Sequence, residues 1–266
     1  MLKRSLVFLY GILSYVLFLG VYLYAIGFVG NFLVPRSIDS PADGNLVTNL
    51  LIDLGLLLAF AVQHSVMARP TFKRWWTRII PEPAERSTYV LVSNIAMIAL
   101  FVYWRPLGGV VWSVEHQAAV FALYALFAAG WLLLLVSTLY IDHFDLFGLR
   151  QVWLYLIGKP YTSSGFRTPG PYSIVRHPIY VGWLLGFWAT PTMTVTHLVF
   201  ALAATAYILI AIQLEERNLV DSFGETYRDY RKRVPGLVPF TRMTSMRTAT
   251  RAAAVAASTA SPGIER

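Results

Sequence analysis

The feature that most constrains this chain is its first apolar run: residues 5–34 are Leu, Val, Phe, Tyr and Gly with few interruptions. About 20 apolar residues cross the roughly 30 Å hydrocarbon core of a bilayer, so the run can span it with tilt or overhang. A cleaved signal peptide carries an apolar core of only about 7–15 residues, which argues against that reading. Inside lipid every backbone polar group has to be satisfied by the protein, and a helix does this within one segment. The rest of the chain continues in kind, with 56% hydrophobic and 14% charged residues over 266 positions. The expectation is an all-α integral membrane protein with the lipid bilayer as its surroundings.

Two compositional facts remove whole classes of function. The chain has no cysteine, which excludes disulfides, Cys-ligated zinc or iron–sulfur centres and an enzyme thiol as nucleophile. A net charge of +8 would suit nucleic acid. The basic residues stand beside the apolar runs rather than along one helix face, so membrane topology accounts for them and no nucleic-acid partner is expected. Nothing in the sequence sets the oligomeric state.

A Pro/Asp/Gly-rich loop at 35–45 precedes a second span at 46–67. Residues 69–86 carry Lys73, Arg74 and Arg78 beside Trp75 and Trp76, side chains that settle at the headgroup level. A third span at about 87–104 and a fourth at about 114–140 follow. The loops at 35–45 and 105–115 hold one arginine each. This asymmetry places the N-terminus, 69–86 and 141–176 in the cytoplasm. Residues 179–214 are long enough for two short crossings broken at Pro191 and Thr192, a helical hairpin. Residues 215–233, charged and Tyr-rich, read as a cytoplasmic helix. From 241 the chain is Ala, Ser, Thr and Arg without apolar periodicity and reads as a disordered tail. The expected architecture is a bundle of about five to six transmembrane helices ending in a helical hairpin, with 1–140 as the bundle, 141–240 as a second functional region and 241–266 as the tail.

Polar motifs at membrane depth cost free energy and mark function. The densest pair, residues 168–182 and 215–230, flanks the hairpin on one side of the membrane, so closing it brings them together. Pro178 suits the first turn of a helix, whose unpaired N–H groups and partial positive charge can receive a carboxylate. Arg176 and His177 stand just before it, and Glu215 across the hairpin can accept from an ammonium or a ribose hydroxyl. Taken singly, Arg176-His177 is a basic boundary flank and Glu215-Glu216-Arg217 a solvated turn. Their coincidence favours a site for a zwitterionic ligand.

The string Arg176-His-Pro-x-Tyr180-x-Gly182, then Glu215-Glu, Phe223-Gly-x-x-Tyr227-x-x-Tyr230, Val234-Pro and Pro239-Phe240, resembles the C-terminal half of the isoprenylcysteine carboxyl methyltransferase and phospholipid methyltransferase superfamily. The resemblance covers roughly residues 164–240. It implies S-adenosylmethionine bound between membrane helices in a pocket open to the cytosol, at the inner membrane of a bacterium. Carried over position by position, it assigns cofactor contacts to Phe166, Arg167, Tyr172, His177, Pro178, Ile179, Tyr180 and Glu215, and more loosely to Gln151. One position departs from the pattern. Where the prenylcysteine enzymes have an arginine four residues before the glutamate, this chain has Ala211, so a substrate carboxylate there would be poorly paired.

Gln63-His-Ser-x-Met-Ala-Arg69, Asp142-His-Phe-Asp-Leu-Phe-Gly-Leu-Arg150-Gln151 and Gly165-Phe-Arg-Thr-Pro-Gly-Pro look like the NnrU-like branch, and most like the methanethiol S-methyltransferases that form dimethyl sulfide. That resemblance implies a small thiol as acceptor and no metal. A thiolate is the nucleophile rather than a thiol, so a base or cation would help. His64, Asp142, His143, Asp145 and Arg150 are the catalytic candidates. The leading expectation is a proton acceptor within Asp142–Asp145, with Arg150 holding it or stabilising the thiolate. Three alternatives remain open here: another methyl acceptor such as a phospholipid amine, a hydride-transferring sterol reductase, and a non-catalytic protein of the NnrU type.

Overall fold

The computed structural model describes residues 1–162 and 165–241; the expected disordered tail lies almost wholly outside them. Among the described residues five helices are long and apolar enough to cross a membrane: α1 (Leu2–Gly30), α2 (Leu46–Met67), α4 (Glu85–Tyr103), α5 (Gln117–Tyr140) and α9 (Val195–Phe223). The third of these is preceded by a 3-10 turn at Glu82–Ala84. A short apolar helix, α8 (Pro178–Trp188), completes the bundle. The remaining helices, α3 (Pro70–Trp76), α6 (His143–Leu146), α7 (Leu149–Leu156) and α10 (Glu225–Arg233), sit at the ends of the long ones. The expected all-α membrane bundle of five to six helices is what the chain forms.

Local chemistry sets the helix ends. Asn45 caps α2 by accepting from the amides of Val47 (2.9 Å) and Thr48 (3.2 Å), and Thr194 caps α9 by accepting from the His197 amide at 3.0 Å. Pro70 and Pro178 occupy first turns, where a missing N–H costs nothing. Large side chains of α1, including Leu6, Leu9 and Leu13, face outward, as a lipid-exposed helix requires. Inside, an aromatic core of Phe28, Phe101, Trp104, Phe127, Trp131 and Phe187 joins α1, α4, α5 and α8.

The tightest helix contact is α5 against α8, and it depends on glycine. A Cβ on Gly130 would lie 2.7 Å from the Leu185 Cβ and 2.8 Å from the Gly182 oxygen, and one on Gly182 would lie 2.7 Å from the Gly130 oxygen. Small residues let membrane helices approach until van der Waals packing holds them.

Three details depart from the sequence reading. The hairpin is lopsided: α8 has 11 residues and α9 has 29. No separate helix begins at 215, because α9 runs unbroken to Phe223 and the chain turns at Gly224 with φ 55. The loops opposite the motif end form a two-stranded antiparallel ribbon, β1 (Val110–Ser113) with β2 (Thr192–Thr194). At that end His197 is fully buried, with Nε2 2.8 Å from the Phe187 oxygen and Nδ1 3.6 Å from Asp39. Burial alone would raise the Asp39 carboxyl, but hydrogen bonds from His197, Thr194 and Asn31 hold it below its usual range. Asn94 on α4 donates to the Ser14 oxygen on α1 at 3.3 Å.

Candidate functional site

The end of the bundle opposite the ribbon gathers the C-terminal motifs. The Arg176 and His177 amides donate to the oxygens of Pro235 (2.8 Å) and Gly236 (3.2 Å). His177 then serves as N-cap position of α8. Along α9, Ile208, Ile212 and Glu216 are buried at four-residue spacing, so Glu216 continues an apolar stripe inward while Glu215, one residue and about 100° away, turns out.

Glu216 is the centre of this arrangement. Its Oε1 lies 2.6 Å from the Arg176 Nη2, 2.8 Å from Nε and 3.1 Å from the His177 Nε2. Arg231 reaches the other oxygen at 3.5 Å. Arg176 Nη1 also donates to the oxygens of Val234 (2.5 Å) and Arg231 (3.2 Å), so one guanidinium ties the start of α8 to the end of α10. Glu215, with its side chain 46% exposed, has Oε2 3.8 Å from the His177 Nδ1.

Beside this cluster lies a cavity of about 230 Å³ whose walls come from α5, the 141–145 turn, the 165–172 segment, α9 and α10. Asp142, Asp145 and Glu215 supply carboxylates to its lining, and Phe166, Tyr172 and Tyr227 supply rings. Phe166 packs tilted against Phe223 (5.2 Å) and edge-to-face against Tyr230 (5.4 Å) and Tyr227 (5.7 Å). Burial raises the phenols of Tyr172 and Tyr230 and pushes Tyr227 up to about 12, so all three remain neutral donors. Tyr230 donates to the Tyr172 oxygen at 2.6 Å. The Tyr172 hydroxyl is buried and has no partner among the described residues, a donor at the cavity wall that an incoming acceptor can satisfy.

The 142–151 motif braces the cavity from the other side. Asp142 adopts φ 89 and pairs with Arg167 at 2.7 Å. Asp145 is held by Arg150 (3.3 Å) and accepts from Tyr161 (2.9 Å), while Gln151 donates to its carbonyl at 3.0 Å. His143 points away, with Nε2 2.8 Å from the Tyr15 hydroxyl and Nδ1 2.8 Å from Thr138. Burial lowers its pKa and keeps it neutral.

Of the residues singled out from sequence, Asp142, Asp145, Phe166, Arg167, Tyr172 and Glu215 line the cavity. Pro178, Ile179 and Tyr180 form the first turn of α8 behind His177. Arg150 and Gln151 act on Asp145 rather than facing the cavity. His64 lies on α2, its Nε2 2.6 Å from the Tyr89 hydroxyl and its Nδ1 3.1 Å from Ser93. Sequence reasoning passed over Glu216, although its spacing from Ile208 and Ile212 marked it as inward-facing. It also quoted Arg176, Tyr227 and Tyr230 without giving them a role.

An acidic and aromatic lining next to a buried Arg–Glu–His cluster fits a ligand that joins a cationic centre, an amino acid and a flat ring. Comparison with known proteins agrees with methyl transfer. The phospholipid methyltransferase family matches residues 124–226. The chain is 56% identical to a methanethiol S-methyltransferase of Crocosphaera subtropica, covering 90% of this chain and 94% of the relative. It is 51% identical to a methanethiol S-methyltransferase of Mycobacterium tuberculosis, over 90% and 98% respectively. Nurim of Sus scrofa is 34% identical over 66% of this chain and 70% of its own length. No solved structure matches.

Proposed function

The chain belongs to the methanethiol S-methyltransferase family, and from that premise we propose that it methylates methanethiol with S-adenosylmethionine, giving dimethyl sulfide. The observation that carries this reading is the cavity bounded by Asp142, Asp145, Glu215 and Tyr172 beside the His177–Glu216–Arg176 cluster. When bound, the donor supplies a methyl group on a cationic sulfur.

The chain's own residues supply alignment and charge. Glu215 and His177 are proposed to hold the amino-acid part, with Pro178, Ile179 and Tyr180 backing them from the α8 terminus. Phe166 and Tyr172 provide a ring face and a hydroxyl, and Asp142 with Arg167 closes the mouth. Well-oriented reactants are worth about 7–11 kcal/mol of barrier, so this positioning carries most of the rate. Asp145, steadied by Arg150, Tyr161 and Gln151, is proposed as proton acceptor. His143 has both ring nitrogens occupied and anchors α6 instead.

In this reading residues 141–240 form the donor-binding region on a scaffold of residues 1–140. The lysine and arginine asymmetry supports a site facing the cytoplasm, and the resemblance to bacterial relatives supports an inner-membrane location. The test is headspace detection of dimethyl sulfide from detergent-solubilised protein given both substrates, beside a His177→Ala variant. Product that falls in the variant supports the reading. Donor binding without product moves the acceptor to another class, such as a lipid amine, and no binding at all removes the enzyme reading.

A further inference from the structure

We propose that Arg86, at the start of α4, is the cation that binds and stabilises the thiolate of the acceptor, a catalytic residue that no motif singled out. The proposal rests on the thiol-methylating reading above.

Four observations carry it. The Arg86 Nε donates to the Leu146 oxygen at 2.6 Å, and its guanidinium lies 4.7 Å from the Tyr89 ring centroid. The plane is thus fixed on two sides. Its Nη groups have no acceptor and no ion pair among the described residues, because the neighbouring carboxylates are engaged elsewhere: Glu85 is 3.9 Å from Lys73, and Asp145 is taken by Arg150 and Tyr161. A half-buried guanidinium with free, oriented donors calls for an anion.

Its place is the third observation. Leu146 directly follows Asp145, a residue of the cavity lining, so the backbone oxygen that holds Arg86 lies one residue along the chain from the cavity wall. The fourth is Arg150, the arginine that sequence reasoning offered for the thiolate: it is spent on Asp145 and Thr162. Tyr89 and His64 are positioning residues here. The Tyr89 hydroxyl is held by His64 at 2.6 Å, which sets the ring on which Arg86 lies, and Ser93 fixes His64 in turn.

The chemical step is ionisation of the thiol. The S–H bond breaks with its electron pair left on sulfur, and the proton passes by way of the Asp145 carboxylate to water outside. A guanidinium beside the sulfur favours the charged form, typically by about one to three pH units. The titratable and charged groups around it are Tyr89 and Glu85 on α4, Lys73 on α3, His64 on α2, Asp145 on α6, Arg150 on α7, Tyr161 after it, Tyr180 on α8 and Tyr207 on α9. Only Arg86 and Tyr89 change in the test.

The experiment follows methanethiolate absorbance in sealed cuvettes as pH is raised, with full-length protein, without the methyl donor, against a protein-only reference. With the wild-type protein the bound thiol should ionise about one to three pH units below free methanethiol. Arg86→Gln should abolish that shift, Arg86→Lys should retain part of it, and Tyr89→Phe, which keeps the ring, should leave most of it. A wild-type shift in Arg86→Gln, or in Arg86→Met should the glutamine variant fail to fold, overturns the proposal while leaving the thiol reading intact. Wild-type protein that binds S-adenosylmethionine but no thiol overturns both.

Discussion

The Arg176 guanidinium and the Glu216 carboxylate lie 2.6 Å apart with both side chains only 8% exposed, and they join helices α8 and α9 forty residues apart in sequence. Removing one partner of a buried pair leaves the other uncompensated, at a cost of about 3–5 kcal/mol. Glu216→Ala is therefore expected to unfold much earlier than the parent on heating in detergent. Glu215→Ala, at an exposed position, should stay within about 0.5 kcal/mol while weakening donor binding. Equal losses of stability in the two variants would show that the pairing does not organise this end of the bundle.

The Asp142–Arg167 pair tests the opposite balance. Its side chains are 36% and 61% exposed, so it adds no more than about 1 kcal/mol to stability. If it closes the cavity mouth, Arg167→Ala should melt like the parent protein yet bind S-adenosylmethionine more weakly. Calorimetric titration checks this. Unaltered affinity would leave the pair as surface decoration.

Gly182 faces Gly130 with no room for a methyl group. Overpacking costs about 1–3 kcal/mol, and here the obstacle is backbone rather than a flexible side chain. Gly182→Val should lose folded protein on extraction, whereas Gly20→Val on α1, where an added Cβ meets nothing within 4 Å, should be neutral. Size-exclusion recovery of the two variants decides it.

His143 gives a pH dependence with a definite sign. Burial lowers its folded-state pKa, so below the unfolded value of about 6.5 the unfolded chain binds more protons than the folded one. Stability is then full above that pH and falls as the solution is acidified. His143→Gln, which can still bond Tyr15 and Thr138, should flatten this limb of a melting-temperature profile taken between pH 5 and pH 8. An unchanged slope would assign the effect to other groups.

Sequence reading reached the membrane helices because length and apolarity alone define them; residues 46–67 coincide with α2. It reached the six cavity-lining positions because the motifs are local. It separated Glu215 from Glu216 poorly because the choice depends on helical phase, and α9 was expected to end before them rather than run on to Phe223. The β1–β2 ribbon was missed because strands of four and three residues carry no periodicity of their own. Arg86 was invisible for another reason: its role comes from Leu146 and Tyr89, one of them sixty residues away.

The ribbon end has a consequence for traffic. Trp104, Ile38, Met193 and His197 are all at most 4% exposed there, and Asp39 is bound to both Thr194 and His197. Irregular backbone at membrane depth is tolerated when protein buries it, and here it makes a plug. Among the described residues the bundle is thus packed shut by side chains at the ribbon end, while the cavity opens among the 141–145, 165–172 and α10 segments at the other.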